Sequence, residues 1–101
     1  MYCHQIQSNQ DLYKSLAEIG WWEALCENLG VEAAILNNLR YAQMKDEKKK
    51  RECLQAFYNQ GDVCWESVVK VVKDDPFYNR VLAKRIAERY GVDLSTIQDN
   101  T

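Results

Sequence analysis

Apolar residues recur at intervals of three and four in six separate stretches, a rhythm that a helix satisfies and a strand does not. Leu12, Leu16 and Ile19 form the first stripe, Trp22, Leu25, Cys26 and Leu29 the second, and Ile35, Leu36 and Leu39 the third. Cys53, Leu54, Phe57 and Tyr58 form the fourth, Trp65, Val68, Val69 and Val72 the fifth, and Leu82, Ile86 and Tyr90 the sixth. Each set falls on one helical face. The valines of segment 63–72 also suit a strand. A lone strand would find no pairing partner in this chain, so a helix is expected there too.

The breaks between stripes carry their own signals. Gly20, Gly30, Gly61 and Gly91 each follow a helical stretch, where glycine closes the last turn without a Cβ clash. Trp21, Val31 and Val92 follow three of them and are placed to fold back on the preceding turn. Ser8 with Asp11 three residues on has the form of a capping box ahead of Leu12. Asp62 is placed to cap a helix entering Cys64 and Trp65. Asp75-Pro76 reads as a capping acid before a proline at the first helical position, and Pro76 is the chain's one proline.

Six amphipathic helices in 101 residues amount to one compact bundle with short connections. The aromatic residues, Trp21, Trp22, Trp65, Phe57, Phe77 and six tyrosines, are expected to be mostly core. Adjacent helical residues lie about 100° apart, so one of Trp21 and Trp22 should be buried and the other near the surface. No apolar run approaches the roughly 18 residues of a membrane span. Residues 1–10 lack the apolar stretch of a secretory signal, which leads to a cytoplasmic expectation. Cys3, Cys26, Cys53 and Cys64 show no two-residue spacing of a zinc or redox motif. They are read as reduced structural thiols.

The residues of catalysis are sparse. His4 is the single histidine and sits near a terminus expected to fray. Cys3 and His4 are neighbours, but adjacent side chains point apart in helix or strand, so the pair is read as accidental. Glu23 and Glu27 share a helix face and are read as solvated rather than metal-binding. No catalytic residue, cofactor-binding residue, metal ligand or small-molecule substrate is assigned, and no enzyme is expected.

Charge is more informative. Residues 1–34 hold one cation against five acids, residues 35–91 hold twelve cations against eight acids, and the tail adds Asp93 and Asp99. Lys45, Lys48, Lys49, Lys50 and Arg51 form the sharpest basic cluster, and Arg80, Lys84 and Arg85 a second. Opposite balances on different helices make a bundle complementary to a copy of itself or to a relative. The same charges serve equally as a mixed, solvated surface. The formal charge of −2 argues against a dedicated nucleic-acid binder. A phosphate-binding role for the Lys45–Arg51 run stands as the alternative, weakened by the flanking Asp46, Glu47 and Glu52.

The run Trp22-Glu23-Ala24-Leu25-Cys26-Glu27-Asn28-Leu29-Gly30-Val31 resembles the W-x-x-L-A-x-x-L-G-L signature near the start of death domains, with Cys26 in place of the small alanine. Arg51 to Phe57 resembles the fourth helix of that family, Trp65 to Val72 the fifth and Leu82 to Ala87 the closing one. The resemblance covers about residues 10–91, leaving 1–9 as an N-terminal extension and 92–101 as a tail. It implies an all-α, six-helix antiparallel Greek-key bundle of the death-fold type. It further implies a non-enzymatic adaptor that binds itself, a paralogue or other death-fold domains through charged patches, in apoptosis or innate immune signalling. On that reading Glu23, Glu27 and Glu32 face Arg40, Lys45, Lys48, Lys49, Lys50 and Arg51 of a partner. In the tail, Ser95 and Gln98 have capping-box spacing with no helix behind it. The chain is then one domain of a longer protein or a minimal adaptor with a loose tail.

Overall fold

The computed structural model describes residues 3–97, and its regular structure there is helical. The helices are α1 (Asn9–Ser15), α2 (Trp22–Asn28), α3 (Ala33–Arg40), α4 (Asp46–Asn59), α5 (Trp65–Lys73) and α6 (Arg80–Tyr90), followed by a 3-10 turn at Leu94–Thr96. Among the described residues there is no strand, only an isolated antiparallel bridge between Gln5 and Cys64. The Cα radius of gyration, 13.1 Å, is that of a single compact domain of this length.

The expected stripes form the core. Leu12, Leu16, Leu25, Cys26, Cys53, Leu54, Val68, Val69, Val72 and Leu82 are fully buried. The valine-rich stretch is helical, because burying Val68, Val69 and Val72 on one face of α5 outweighs the small helix penalty of β-branching. The first stripe spans more than its helix: α1 stops at Ser15, and Leu16 and Ile19 enter the core from the cap and the connection that follows. Trp22 is 4% exposed and Trp21 62%, the expected division of the two indoles.

The helices fall into two groups. Helix α4, the longest, packs on α1, α2 and α3, while α5 pairs most extensively with α6 and touches α2. Trp65 and Tyr90 stack with ring centroids 3.8 Å apart, fastening the start of α5 to the end of α6.

Part of the punctuation is where the sequence placed it. Ser8 Oγ accepts from the Asp11 amide at 3.3 Å. Gly30 and Gly91 take φ of +87° and +76°. There the Val31 amide donates back to the Cys26 carbonyl at 3.0 Å and the Val92 amide to the Ala87 carbonyl at 2.9 Å, the Schellman closure.

Four local expectations are corrected. Gly20 is outside the set of positive-φ glycines, and Trp21 N-caps α2 with its ring in solvent instead of folding back. Asp62 does not cap α5: Cys64 is the N-cap, while Asp62, at φ 53°, accepts from Gln5 Nε2 at 3.1 Å. Asp75 and Pro76, joined by a cis peptide, lie in the turn after α5, and α6 begins four residues past Pro76 with Asn79 as its cap, Oδ1 accepting from the Leu82 amide at 3.1 Å. In the tail, Asp93 rather than Ser95 is the capping residue, accepting from the Ser95 amide at 3.0 Å, and Gln98 lies outside the described residues.

The cysteines divide. Cys26 and Cys53 are free and buried, as expected, whereas Cys3 and Cys64 form a disulfide across 61 positions. The reduced reading fails for this second pair because backbone pairing brings the N-terminal segment to the start of α5. The Trp65 amide donates to the His4 carbonyl at 2.8 Å and the Ile6 amide to the Val63 carbonyl at 2.9 Å. Buried Ile6 and a 2.5 Å contact between His4 Nδ1 and Glu66 Oε2 complete the attachment, so His4 is held in place, not frayed.

Candidate interaction surface

The nine charged residues singled out as partner-facing sit on or beside α2, α3 and α4, but they do different things. Glu23 in α2 and Arg40 at the end of α3 pair with each other, Nε to Oε2 at 2.8 Å, and Arg40 also donates to Asn37 Oδ1 at 2.7 Å. The Glu23 carboxylate raises the Arg40 guanidinium above its ordinary range. Both side chains remain more than a third exposed.

Lys50 leaves the candidate set. It is 2% exposed, and its Nζ donates to the carbonyls of Leu16 and Ile19, each at 2.6 Å, and of Ala17 at 3.3 Å. The last carbonyls of a helix have no partner within it. An ammonium set against them satisfies its three donors and lies at the negative end of the helix dipole. Burial lowers the Lys50 pKa, partly offset by Glu47. Lys50 is therefore a structural cap for α1 and the connection after it. Its neighbours are partly engaged: Lys49 donates to the Arg40 carbonyl at 3.1 Å and lies 5.9 Å from the Trp22 ring centroid. The Arg51 guanidinium lies 4.1 Å from the Tyr13 ring centroid.

What is left is simple. Glu27 and Glu32 are exposed near the α2–α3 junction, and Lys45 and Lys48 are exposed where α4 begins. None of these four forms an ion pair among the described residues. Along the chain, eight-residue α3 lies between the two sets, and the Glu27 carboxylate also acts on Arg40 at the far end of α3. Tyr41, at its far end, is 82% exposed. The second basic stretch is partly tied down, since Arg85 pairs with Glu18 at 2.8 Å.

The concave features are open and mixed in character. A groove of about 380 Å³ between α1 and α4 is lined by Asn9, Tyr13, Arg51, Glu52 and Gln55 among others. A groove of about 220 Å³ between α1 and α6 contains Lys14, Glu18, Arg85 and Tyr90. The cluster of potential metal ligands lies elsewhere: the ligand atoms of Cys3, Cys64 and Glu66 are all within 4.8 Å of one another. No local spacing announces this group, because backbone pairing assembles it from opposite ends of a 61-residue separation. No helix among the described residues is long and apolar enough to cross a membrane. Comparison with protein-family models, curated proteins and solved structures gives no match for this chain.

Proposed function

We propose that the chain is a non-enzymatic interaction module of the death-domain kind, an antiparallel Greek-key bundle. It associates in the cytoplasm with a second copy, a paralogue or another death-fold domain to assemble a signalling complex. The observation that carries this reading is two exposed, oppositely charged sets that form no intramolecular ion pair among the described residues, Glu27 with Glu32 and Lys45 with Lys48. The helical signature from Trp22 to Val31 and the six-helix order support it. Two patches of opposite sign allow one molecule's acidic set to meet another's basic set, a head-to-tail contact that repeats.

The alternative, phosphate binding by Lys45 to Arg51, has less behind it. Lys50 is committed to backbone carbonyls, and Lys49 and Arg51 rest on neighbouring groups. Light scattering over a concentration series at low and high salt tests the module. Association that weakens with salt is expected, as is its loss in Glu27→Lys and in Lys48→Glu separately and its return when these two variants are mixed. A strict monomer at all concentrations that binds no death-fold domain overturns the reading. Salt-sensitive binding of a duplex oligonucleotide would favour the alternative.

A further inference from the structure

From the cluster at the start of α5 we infer that the reduced chain holds a zinc ion between Cys3, Cys64 and Glu66, at the place where the oxidised chain carries its disulfide. This inference is independent of the interaction reading. The ligand atoms of the three residues lie within 4.8 Å of one another, so a single ion reaches all of them with small side-chain adjustments. Cys64 is the N-cap of α5 and Glu66 lies in its first turn, which fixes two of the donors on one rigid element. Cys3 is delivered by the Gln5–Cys64 bridge and by the Trp65-to-His4 and Ile6-to-Val63 hydrogen bonds, none of which needs the sulfur–sulfur bond.

The donor chemistry selects the metal. Two thiolates exclude magnesium and calcium as preferred ions, and a carboxylate with two sulfurs suits zinc. Three protein donors and an exposed Cys3 leave the fourth tetrahedral position to water. Glu66 is already oriented from outside the cluster. The His4 amide donates to Oε1 at 2.9 Å, and His4 Nδ1 lies 2.5 Å from Oε2. Carboxylates that ligate a metal are themselves commonly held by hydrogen bonds from outside the site. His4 is thus a positioning residue.

The two states exchange by ordinary thiol chemistry. A dithiol reductant gives two electrons and two protons to the Cys3–Cys64 bond, yielding two thiols and the reductant's own disulfide. Zinc then displaces the two thiol protons to solvent and binds both thiolates and the carboxylate. Either bond closes the same loop, so the N-terminal segment stays anchored in both.

The test uses the full chain, reduced with a dithiol that is then removed anaerobically, and titrated with Co²⁺ as a spectroscopic stand-in. A thiolate-to-cobalt charge-transfer band with tetrahedral d–d bands, saturating at one equivalent and bleached by Zn²⁺, is expected. The oxidised chain should show neither. Glu66→Gln leaves both thiols in place and should weaken binding about 10–100-fold or more, and His4→Ala about tenfold, as losses at zinc sites do. Cys3→Ser should lose at least as much as Glu66→Gln, with helicity checked by circular dichroism. The Cys26→Ser/Cys53→Ser double variant should keep the full spectrum. The inference is overturned if the reduced chain gives no charge-transfer band, if Cys3→Ser or Glu66→Gln leaves the titration unchanged, or if the double variant abolishes it.

Discussion

The α4-centred half and the α5–α6 half solve the same problem in opposite ways. Each must tie an early, weakly structured part of the chain onto a later helix. In the first half, seven-residue α1 ends against α4, and a single buried ammonium, Lys50, gathers the carbonyls of its C-cap Leu16 and of Ala17 and Ile19 just beyond. In the second, the segment before α1 is held to α5 by a backbone bridge, a disulfide and the His4–Glu66 contact. The first fastening is internal and insensitive to reductant. The second lies at the surface, with Cys3 exposed and Cys64 half-buried, and answers to redox conditions. The remaining two cysteines reinforce the contrast. Cys26 and Cys53 meet in the dry contact of α2 and α4, where a hydrogen bond with Cys53 and burial raise the Cys26 thiol, keeping it protonated and inert.

The largest expected effect comes from breaking the first half at its centre. Leu54 in α4 is fully buried, and Leu54→Ala should cost about 2–5 kcal/mol by urea denaturation. If both halves share one core, far-UV and near-UV circular dichroism will lose structure in one transition; two separated transitions would show the halves to be independent. Breaking the second half by Cys3→Ser should cost about 2–4 kcal/mol under oxidising conditions and very little after reduction in metal-free buffer. Lys50→Met should cost about 1–3 kcal/mol because it strands buried carbonyls, and this loss should be the same in oxidised and reduced protein. Equality of the two reductant responses would erase the distinction drawn above.

A smaller effect sharpens the comparison through pH. Burial lowers the Lys50 pKa below the 10.5 of the unfolded chain. Between the folded value and 10.5 the unfolded state binds more protons, so this residue's contribution to stability rises with pH there. Wild type should therefore gain on Lys50→Met as alkaline pH approaches 10.5, read from the difference in urea midpoints. A flat difference would mean that the ammonium is not desolvated.

The sequence revealed what is periodic and concealed what is distant. Five of the six stripes emerge mainly as helical faces because burial along a helix repeats within a few residues, while the first runs past the end of α1. Lys50 was misread because it sits in a run of cations, although its position carried a signal: 50, 53, 54 and 57 share the spacing of the buried Cys53, Leu54 and Phe57. A lysine in step with an apolar stripe is a candidate for burial with its donors satisfied. Glu23 and Arg40 lie seventeen positions apart, and their pairing depends on how α2 meets α3, which no local pattern encodes. The Cys3–Cys64 junction is further still, and its only sequence trace is an even cysteine count. Asp75-Pro76 was misplaced because the turn after α5 runs on to Asn79, whose side chain supplies the cap.

The disulfide also decides how the molecule carries mechanical load. It encloses α1 to α4 in a closed covalent loop and leaves α5 and α6 outside. Tension applied between the two termini passes from Cys3 straight to Cys64, so the four enclosed helices are shielded and only the last two can be drawn out. Once the linkage is opened, the whole chain becomes extensible, and a stiff, short tether turns into a long, compliant one.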